Sequence, residues 1–180
     1  GGYLLAGQPT AEAVAALFAR ARAAGATTVL DIVTPGPGDY RPRLDPVLAH
    51  TDLFVPNDDE AALVTGLADP ASQARAFRDA GAATVIITCG DRGAVLLGPD
   101  GGCRAGVHEV DFIDGTGSGD AFVAGYVYGL LAGGDDHRCL ACGTAAGAAC
   151  VEATGATTGA LTADELEAFV EQHPLTLEPL

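Results

Sequence analysis

The spacing of hydrophobic positions changes several times along the chain, and each change marks a new element. Gly2 to Ala6 reads as a short buried strand. Beyond Pro9 the period is helical: Val14, Leu17, Phe18 and Ala21 recur at helical spacing, Thr10 stands as N-cap with Glu12 in the first turn, and Gly25 stops the run. The β-branched run Thr27 to Val33 predicts a second strand, Pro35 to Pro42 a loop, and Leu44 to Ala49 a short helix. Asp52 to Val55 predicts a third strand and Asn57 to Gly66 a helix. Asp69-Pro70 opens another helix that lasts to Gly81. Thr84 to Thr88 is a dense β run, with Val85-Ile86-Ile87 at its centre. Ala94 to Leu97 and Cys103 to Val107 predict a hairpin joined by Pro99-Asp100-Gly101-Gly102. After Val110 a glycine-rich loop leads into helices over Gly119 to Ala132, Asp136 to Ala153 and Thr162 to Gln172. There is no internal repeat and no low-complexity linker.

Strands alternating with helices of about a dozen residues predict an α/β fold with a mostly parallel central sheet flanked by helices. Ligands on such sheets sit at the carboxyl ends of strands, so chemistry is expected in the loops after Val33, Val55, Thr88 and Val110. The composition agrees with a folded chain: 180 residues, 48% of them apolar and 18% charged, can bury a sizeable core, and residues 1–180 are read as part of one domain. No apolar run is long enough for a membrane span, and the start carries no basic segment or cleavage pattern, so neither a membrane partner nor a signal peptide is expected. The net charge is −15, and every basic residue is Arg. Without a basic stripe the chain is not expected to bind nucleic acid. A nucleotide remains open, because Mg2+ and backbone N–H groups hold phosphates without Lys. Five cysteines at irregular spacing predict reduced thiols and a cytoplasmic setting. Cys139 and Cys142 form a C-x-x-C with only His137 nearby as a further ligand, and are read as small apolar residues on one helix face. The chain has no Met and opens on a strand-like segment, from which residues before Gly1 are expected.

The segment Asp114-Gly115-Thr116-Gly117-Ser118-Gly119-Asp120-Ala121-Phe122 carries the candidate chemistry. Its glycines allow close backbone approach and positive φ. It ends at a helix N-terminus, where free N–H groups and the dipole favour an anion. Asp120 sits in that first turn. An anion hole beside a carboxylate suits phosphoryl transfer to a hydroxyl, the amides stabilising charge and the carboxylate accepting the proton. The bland alternative is a glycine-rich turn with a helix-stabilising Asp. A dinucleotide fingerprint fits poorly, since Asp120 occupies the third glycine position and would repel a pyrophosphate. A Walker A loop is excluded by the absence of Lys.

Asp114-Gly-Thr-Gly-Ser-Gly-Asp120-Ala-Phe-Val-Ala-Gly125 resembles the C-terminal signature of the ribokinase-like (PfkB-type) carbohydrate kinases, D-[TG]-T-G-[AS]-G-D-x-F-x-x-G. Two further stretches stand in that family's order: Pro56-Asn57-Asp58-Asp59-Glu60-Ala61 resembles its N-x-x-E motif, and Thr88-Cys89-Gly90-Asp91-Arg92-Gly93-Ala94 its T-x-G-x-x-G nucleotide loop. The resemblance covers essentially the whole chain. It implies a ribokinase-like fold and ATP-dependent phosphoryl transfer to a sugar or sugar-like hydroxyl. It implies Asp120 as the base, Gly117, Ser118 and Gly119 as anion-hole amides, and Thr88, Gly90, Gly93 and Thr116 around the nucleotide. Asn57 and Glu60 would position Mg2+ and phosphates through water, and the apolar face after Gly143 would border the adenine. Asp114, with carbonyls near Val151 to Gly155, matches the region where the family holds a monovalent cation such as K+.

Alternatives stay beside these roles. Asn57 and Glu60 also read as a helix cap, Asp31 as a loop cap or a ligand contact, and Arg92 as an exposed loop residue or a phosphate contact. None of His50, His108, His137 and His173 shows a functional pairing. Family members are longer, and their N-terminal part supplies a lid, most sugar contacts and a surface for a homodimer; that part is missing from this sequence, so the substrate is left open. The second reading is a truncated, catalytically silent descendant that binds a nucleotide or a partner.

Overall fold

The computed structural model describes residues 2–34 and 36–180; Gly1 and Pro35, within the expected first strand's approach and the expected loop, lie outside the described residues. Seven helices are α1 (Ala11–Ala23), α2 (Arg41–Leu48), α3 (Asp58–Thr65), α4 (Pro70–Asp79), α5 (Ser118–Leu131), α6 (Asp136–Val151) and α7 (Ala163–Gln172) among the described residues. Six strands among the described residues are β1 (Val29–Leu30), β2 (Leu53–Phe54), β3 (Thr84–Thr88), β4 (Ala94–Gly98), β5 (Gly101–Ala105) and β6 (Leu177–Pro179). Two compact units result. The first runs to Gly90 and takes in Ala94–Arg104 and Pro179–Leu180; the second comprises Asp91–Gly93 and Ala105–Glu178.

In the first unit the strands run in the order β1-β2-β3-β4, with Gly101–Arg104 of β5 next to β4. β1 pairs with β2 and β2 with β3 in parallel, while β3 pairs with β4 antiparallel. The expected mostly parallel α/β sheet is therefore present with a hairpin added to it. The registers Val29↔Leu53 and Leu53↔Thr84 bring the carboxyl ends of β1, β2 and β3 to one edge. β3 reads as a continuous apolar run because it is central: Val85, Ile86 and Ile87 are fully buried. Phe54 and Phe77 meet edge to face at 4.9 Å and tie the sheet to α4.

Three expectations are corrected. Gly2 to Ala6 is not a strand: Gly2–Leu4 forms a 3-10 turn. Only Leu4 of the Leu4-Leu5 pair is buried, and the segment is held by Arg43, which donates to the carbonyls of Tyr3, Ala6 and Pro9 and lies over the Tyr3 ring. The β-branched run Thr27 to Val33 contributes only a two-residue ladder, since its partner β2 is itself two residues long. The second hairpin strand begins at Gly101 rather than Cys103, so the turn is the two residues Pro99-Asp100. β6 has no sequence signal; it is three residues ending in Pro179, and Leu180 N–H donates to Gly102 O at 3.0 Å.

In the second unit α5 and α6 pack at close range through glycine. A side chain at Gly125 would lie 2.3 Å from Cys142 O, and one at Gly129 2.9 Å from Cys139 Cα. Cys139 and Cys142 are buried in this contact, as the packing reading expects, and burial pushes the Cys139 thiol up to about 11. Cys142 and Ala145 continue into a core with Leu166 of α7, so Ala145, which lies beyond Gly143, serves packing. His108 and His173 flank Phe169 as aromatic packing partners. Among the described residues, no helix is long and apolar enough to cross a membrane.

Candidate active site

The three parallel strands of the first unit each end in a polar residue at the same edge: Asp31 follows β1, Asn57 stands beyond β2, and Thr88 closes β3. Asn57 and Thr88 are brought side by side. They form a parallel bridge, and Thr88 N–H donates to Pro56 O at 3.1 Å. Two of the three sequence motifs thus meet at one edge.

Asn57 and Glu60 form a capping box. Asn57 Oδ1 accepts from Glu60 N–H at 2.8 Å, and Glu60 Oε2 accepts from Asn57 N–H at 3.0 Å. Capping is therefore one role of this pair. It does not account for the electrostatics. Burial pushes the Glu60 carboxyl up, the Asn57 N–H opposes this, and the charges of Asp31 and Asp59 add to it. Because the folded-state value lies above the unfolded one, this group's contribution to stability is fully present below the unfolded value and is lost as pH rises through the folded one. Glu60→Gln, which cannot ionise and whose amide oxygen can still accept from Asn57, is expected to melt at or above the wild-type temperature at neutral pH without ligand. The difference shrinks toward acidic pH, and thermal melts across that range check it. A wild type stabilised by ionised Glu60 at neutral pH would contradict the assignment.

Gly90 and Gly93 differ in kind. Gly90 has φ of +57° and no atom within 4 Å of where a side chain would begin, leaving open space beside the backbone. Gly93, in the second unit, has φ of +82°, and a Cβ there would lie 2.0 Å from Ala105 O. The fold itself demands glycine at 93, so its presence needs no ligand to explain it.

The glycine loop of the second unit is held from within and from behind. Asp114 Oδ1 accepts from Thr116 N–H at 3.0 Å and from the Thr116 hydroxyl at 2.7 Å. Asp114 Oδ2 accepts from Gly155 N–H at 2.8 Å. The Gly155 bond first, and then the Thr116 donors, hold the Asp114 carboxyl below its ordinary range. Gly117 has φ of +80° and presses on Ala156, whose Cα would be 2.7 Å from a Cβ at 117. Cys150 lies beneath, its thiol 3.6 Å from Thr116 O and 3.7 Å from Ala156 O. The sequence signals neither the Cys150 contact nor the Ala156 contact, since both depend on how the turn after α6 folds back.

Five helices, α1, α3, α4, α6 and α7, have an N-cap side chain that accepts a first-turn N–H. α5 starts instead at Gly117 with no side-chain cap. Ser118 N–H is turned to Gly115 O at 3.2 Å, so of the three expected anion-hole amides this one is already engaged. The N–H groups of Gly119 and Asp120 donate to no acceptor among the described residues. Gly119 is exposed, with nothing within 4 Å of a would-be Cβ, so packing does not require a glycine there. Asp120 is exposed, and its carboxylate takes no hydrogen bond and pairs with no cation among the described residues. A helix start with free N–H groups and an exposed carboxylate in its first turn has the chemistry to take an anion beside a proton acceptor.

The family model described as pfkB family carbohydrate kinase matches residues 1–163. The chain is 34% identical over 146 residues to a ribokinase of Haemophilus influenzae, an alignment that covers 78% of this chain and 47% of that one. It resembles the solved aminoimidazole riboside kinase of Salmonella enterica, in complex with aminoimidazole riboside and an ATP analogue, at 31% identity and a TM-score of 0.75, over 87% of this chain and 56% of that one. A ribokinase II candidate from E. coli, solved with ATP and Mg2+, is similar at 26% identity and a TM-score of 0.76, over 91% of this chain and 54% of that one. The chain spans less than half of the length of curated relatives that it matches, from 29% to 47%.

Proposed function

Because the chain belongs to the pfkB family of carbohydrate kinases, we propose that it carries the nucleotide-binding and phosphoryl-transfer part of an ATP-dependent kinase acting on a hydroxyl of a sugar or sugar-like molecule. The observation that carries this reading is the start of α5, where two N–H groups without an acceptor among the described residues, a glycine open to solvent and a carboxylate without a partner among them converge within three residues. Nothing in the packing of the unit calls for that combination.

In the reaction, Asp120 accepts the proton of the attacking hydroxyl as the new O–P bond forms and the bond to the leaving ADP breaks. The amides of Gly119 and Asp120, with the α5 dipole behind them, stabilise charge on the transferred group. Gly117 shapes the loop through its positive φ, and Ser118 closes it on Gly115. Thr116 acts through Asp114, which it anchors. Thr88 and Gly90 are assigned to the nucleotide side, and Gly93 keeps that loop in shape.

Mg2+ fits Asn57 and Glu60 in a limited way. Among the described residues no group of three or more His, Cys, Asp or Glu side chains stands close enough to hold a metal ion. Glu60 is half-buried with its charge disfavoured, a position that a cation would relieve. Such a site takes Mg2+ together with phosphates and water rather than in a protein cage; when bound, the ion neutralises phosphate charge. The Asp114 carboxylate, kept ionised by its donors, fits a monovalent cation such as K+ beside the loop. The buried free thiols suit a reducing compartment, and we take the cytoplasm as the location.

The reading is tested by presenting the whole protein with Mg-ATP and a panel of pentoses, hexoses and nucleosides and following ADP. ADP formation that depends on one acceptor, with phosphate recovered on that acceptor, is the expected result. A folded protein that binds Mg-ATP and phosphorylates none of them would favour a silent descendant.

A further inference from the structure

Three polar residues are buried among the described residues: Thr28, Thr51 and Gln73. The two threonines donate to nearby carbonyls, Thr28 to His50 O at 2.7 Å and Thr51 to Val47 O at 2.9 Å. Gln73 is different. It is 1% exposed and lies on the face of α4 that also carries Ala74 and Phe77, both fully buried. Its Nε2 donates to Asp58 O at 3.1 Å and to Leu67 O at 2.8 Å, while its Oε1 accepts no bond from any described residue. An aliphatic side chain would fill the same space without burying an unpaired oxygen. What Gln brings to this position is the pair of donated bonds.

Those two bonds reach the two ends of one helix. Asp58 is the first residue of α3, and Leu67 follows its C-cap, Gly66. α3 has only eight residues, too few to be stable alone, so tertiary contacts determine where it lies. Asn57 and Glu60 form its first turn, beside Thr88 at the end of β3. We infer that Gln73 is a positioning residue, spanning α3 end to end from α4 and fixing where the Asn57–Glu60 turn stands. The brace rests on geometry alone; its bearing on Mg2+ and phosphate rests on the kinase reading above.

The test uses the whole enzyme with Gln73→Met and, as a second variant of similar volume, Gln73→Leu. Both keep the packing and remove the donors. Amide exchange is followed first without ligand. The Glu60 N–H, protected by Asn57 Oδ1, is expected to exchange about 10-fold faster or more in the variants, while the Glu165 N–H in the corresponding box of α7 stays unchanged. The Mg2+ concentration giving half-maximal rate is then expected to rise by about 10-fold or more, with the KM of the acceptor unchanged. Unchanged exchange at Glu60 overturns the inference. Faster exchange with wild-type Mg2+ dependence overturns it too, leaving Gln73 a packing role. Failure of both variants to fold has the same consequence. A wild-type enzyme without turnover counts instead against the kinase reading, and the exchange result alone then decides whether Gln73 braces the turn.

Discussion

Asp120→Asn in the whole enzyme is expected to lower turnover by about two to four orders of magnitude while Mg-ATP affinity stays nearly intact. Asn keeps the size of the side chain and the first turn of α5 but cannot accept a proton from the attacking hydroxyl. The wild-type carboxylate is exposed and has no hydrogen-bond partner among the described residues, so its loss should leave the fold undisturbed. That separates chemistry from stability: kcat falls by orders of magnitude, while stability loses only the interaction of the carboxylate with the α5 N-terminus, about 0.3–1 kcal/mol. Removing a negative charge beside bound phosphates should, if anything, tighten the nucleotide. Steady-state kinetics with a calorimetric titration of the same variant check both halves. A variant turning over near the wild-type rate removes Asp120 from the mechanism.

The second large effect is structural. Gly93→Ala forces a Cβ to within 2.0 Å of Ala105 O and 2.8 Å of Gly106 O, at a φ of +82°. Both obstructing atoms are backbone, so no side chain can swing aside. The left-handed backbone alone costs a non-glycine residue about 1–2 kcal/mol. The overlap adds to this, and the total belongs with the exceptional losses above about 4 kcal/mol. Gly90→Ala, with a φ of +57° and nothing within 4 Å, should cost only the backbone term of about 1–2 kcal/mol. Urea unfolding of the two variants side by side measures the contrast. Equal stability would mean that the segment Asp91–Gly93 does not approach Ala105 as described.

These two substitutions also mark what was legible in the sequence. Asp120, Gly119 and Gly117 are recognisable because the chemistry of an anion hole is local: a short glycine-rich loop, a helix start and a carboxylate are contiguous in the chain. Helix starts are legible for the same reason. Thr10, Asn57, Asp69 and Thr162 each cap the helix that their spacing predicts. Gly90 and Gly93 cannot be told apart by sequence, because what distinguishes them is the distance to Ala105, twelve residues beyond Gly93. Strand limits are hidden for a related reason. Residues 27–33 are β-formers but for Leu30 and Asp31, yet only Val29 and Leu30 join a ladder with β2. Gln73 lies between these cases. Its spacing to Ala74 and Phe77 places it on the apolar face of α4, a polar residue where the pattern asks for an apolar one, but only the folded chain identifies Asp58 O and Leu67 O as its acceptors.

The Asn57–Glu60 pair illustrates a further limit of pattern. One motif serves two purposes, and the capping box is fully formed. A cap alone, however, does not require a half-buried carboxyl whose charge is disfavoured by its surroundings. Serine and threonine caps with an exposed Glu partner, such as Thr162 with Glu165, do the same work, and there the partner's carboxyl is held below its ordinary value, chiefly by the Thr162 N–H. Glu60 and Glu165 thus stand in the same local motif with opposite shifts, because Glu60 is half-buried near Asp31 and Asp59 while Glu165 is exposed.

The proposed kinase reading requires this chain to hold a nucleotide through the glycine loop at the start of α5. Calorimetric titration of the chain with Mg-ATP, with circular dichroism confirming that it is folded, tests this most directly. Saturable binding at micromolar to millimolar affinity is expected, weakened in Gly119→Val, where a side chain fills the open space beside the free amides. A folded chain that takes up no Mg-ATP, or one whose binding is indifferent to Gly119→Val, would contradict it.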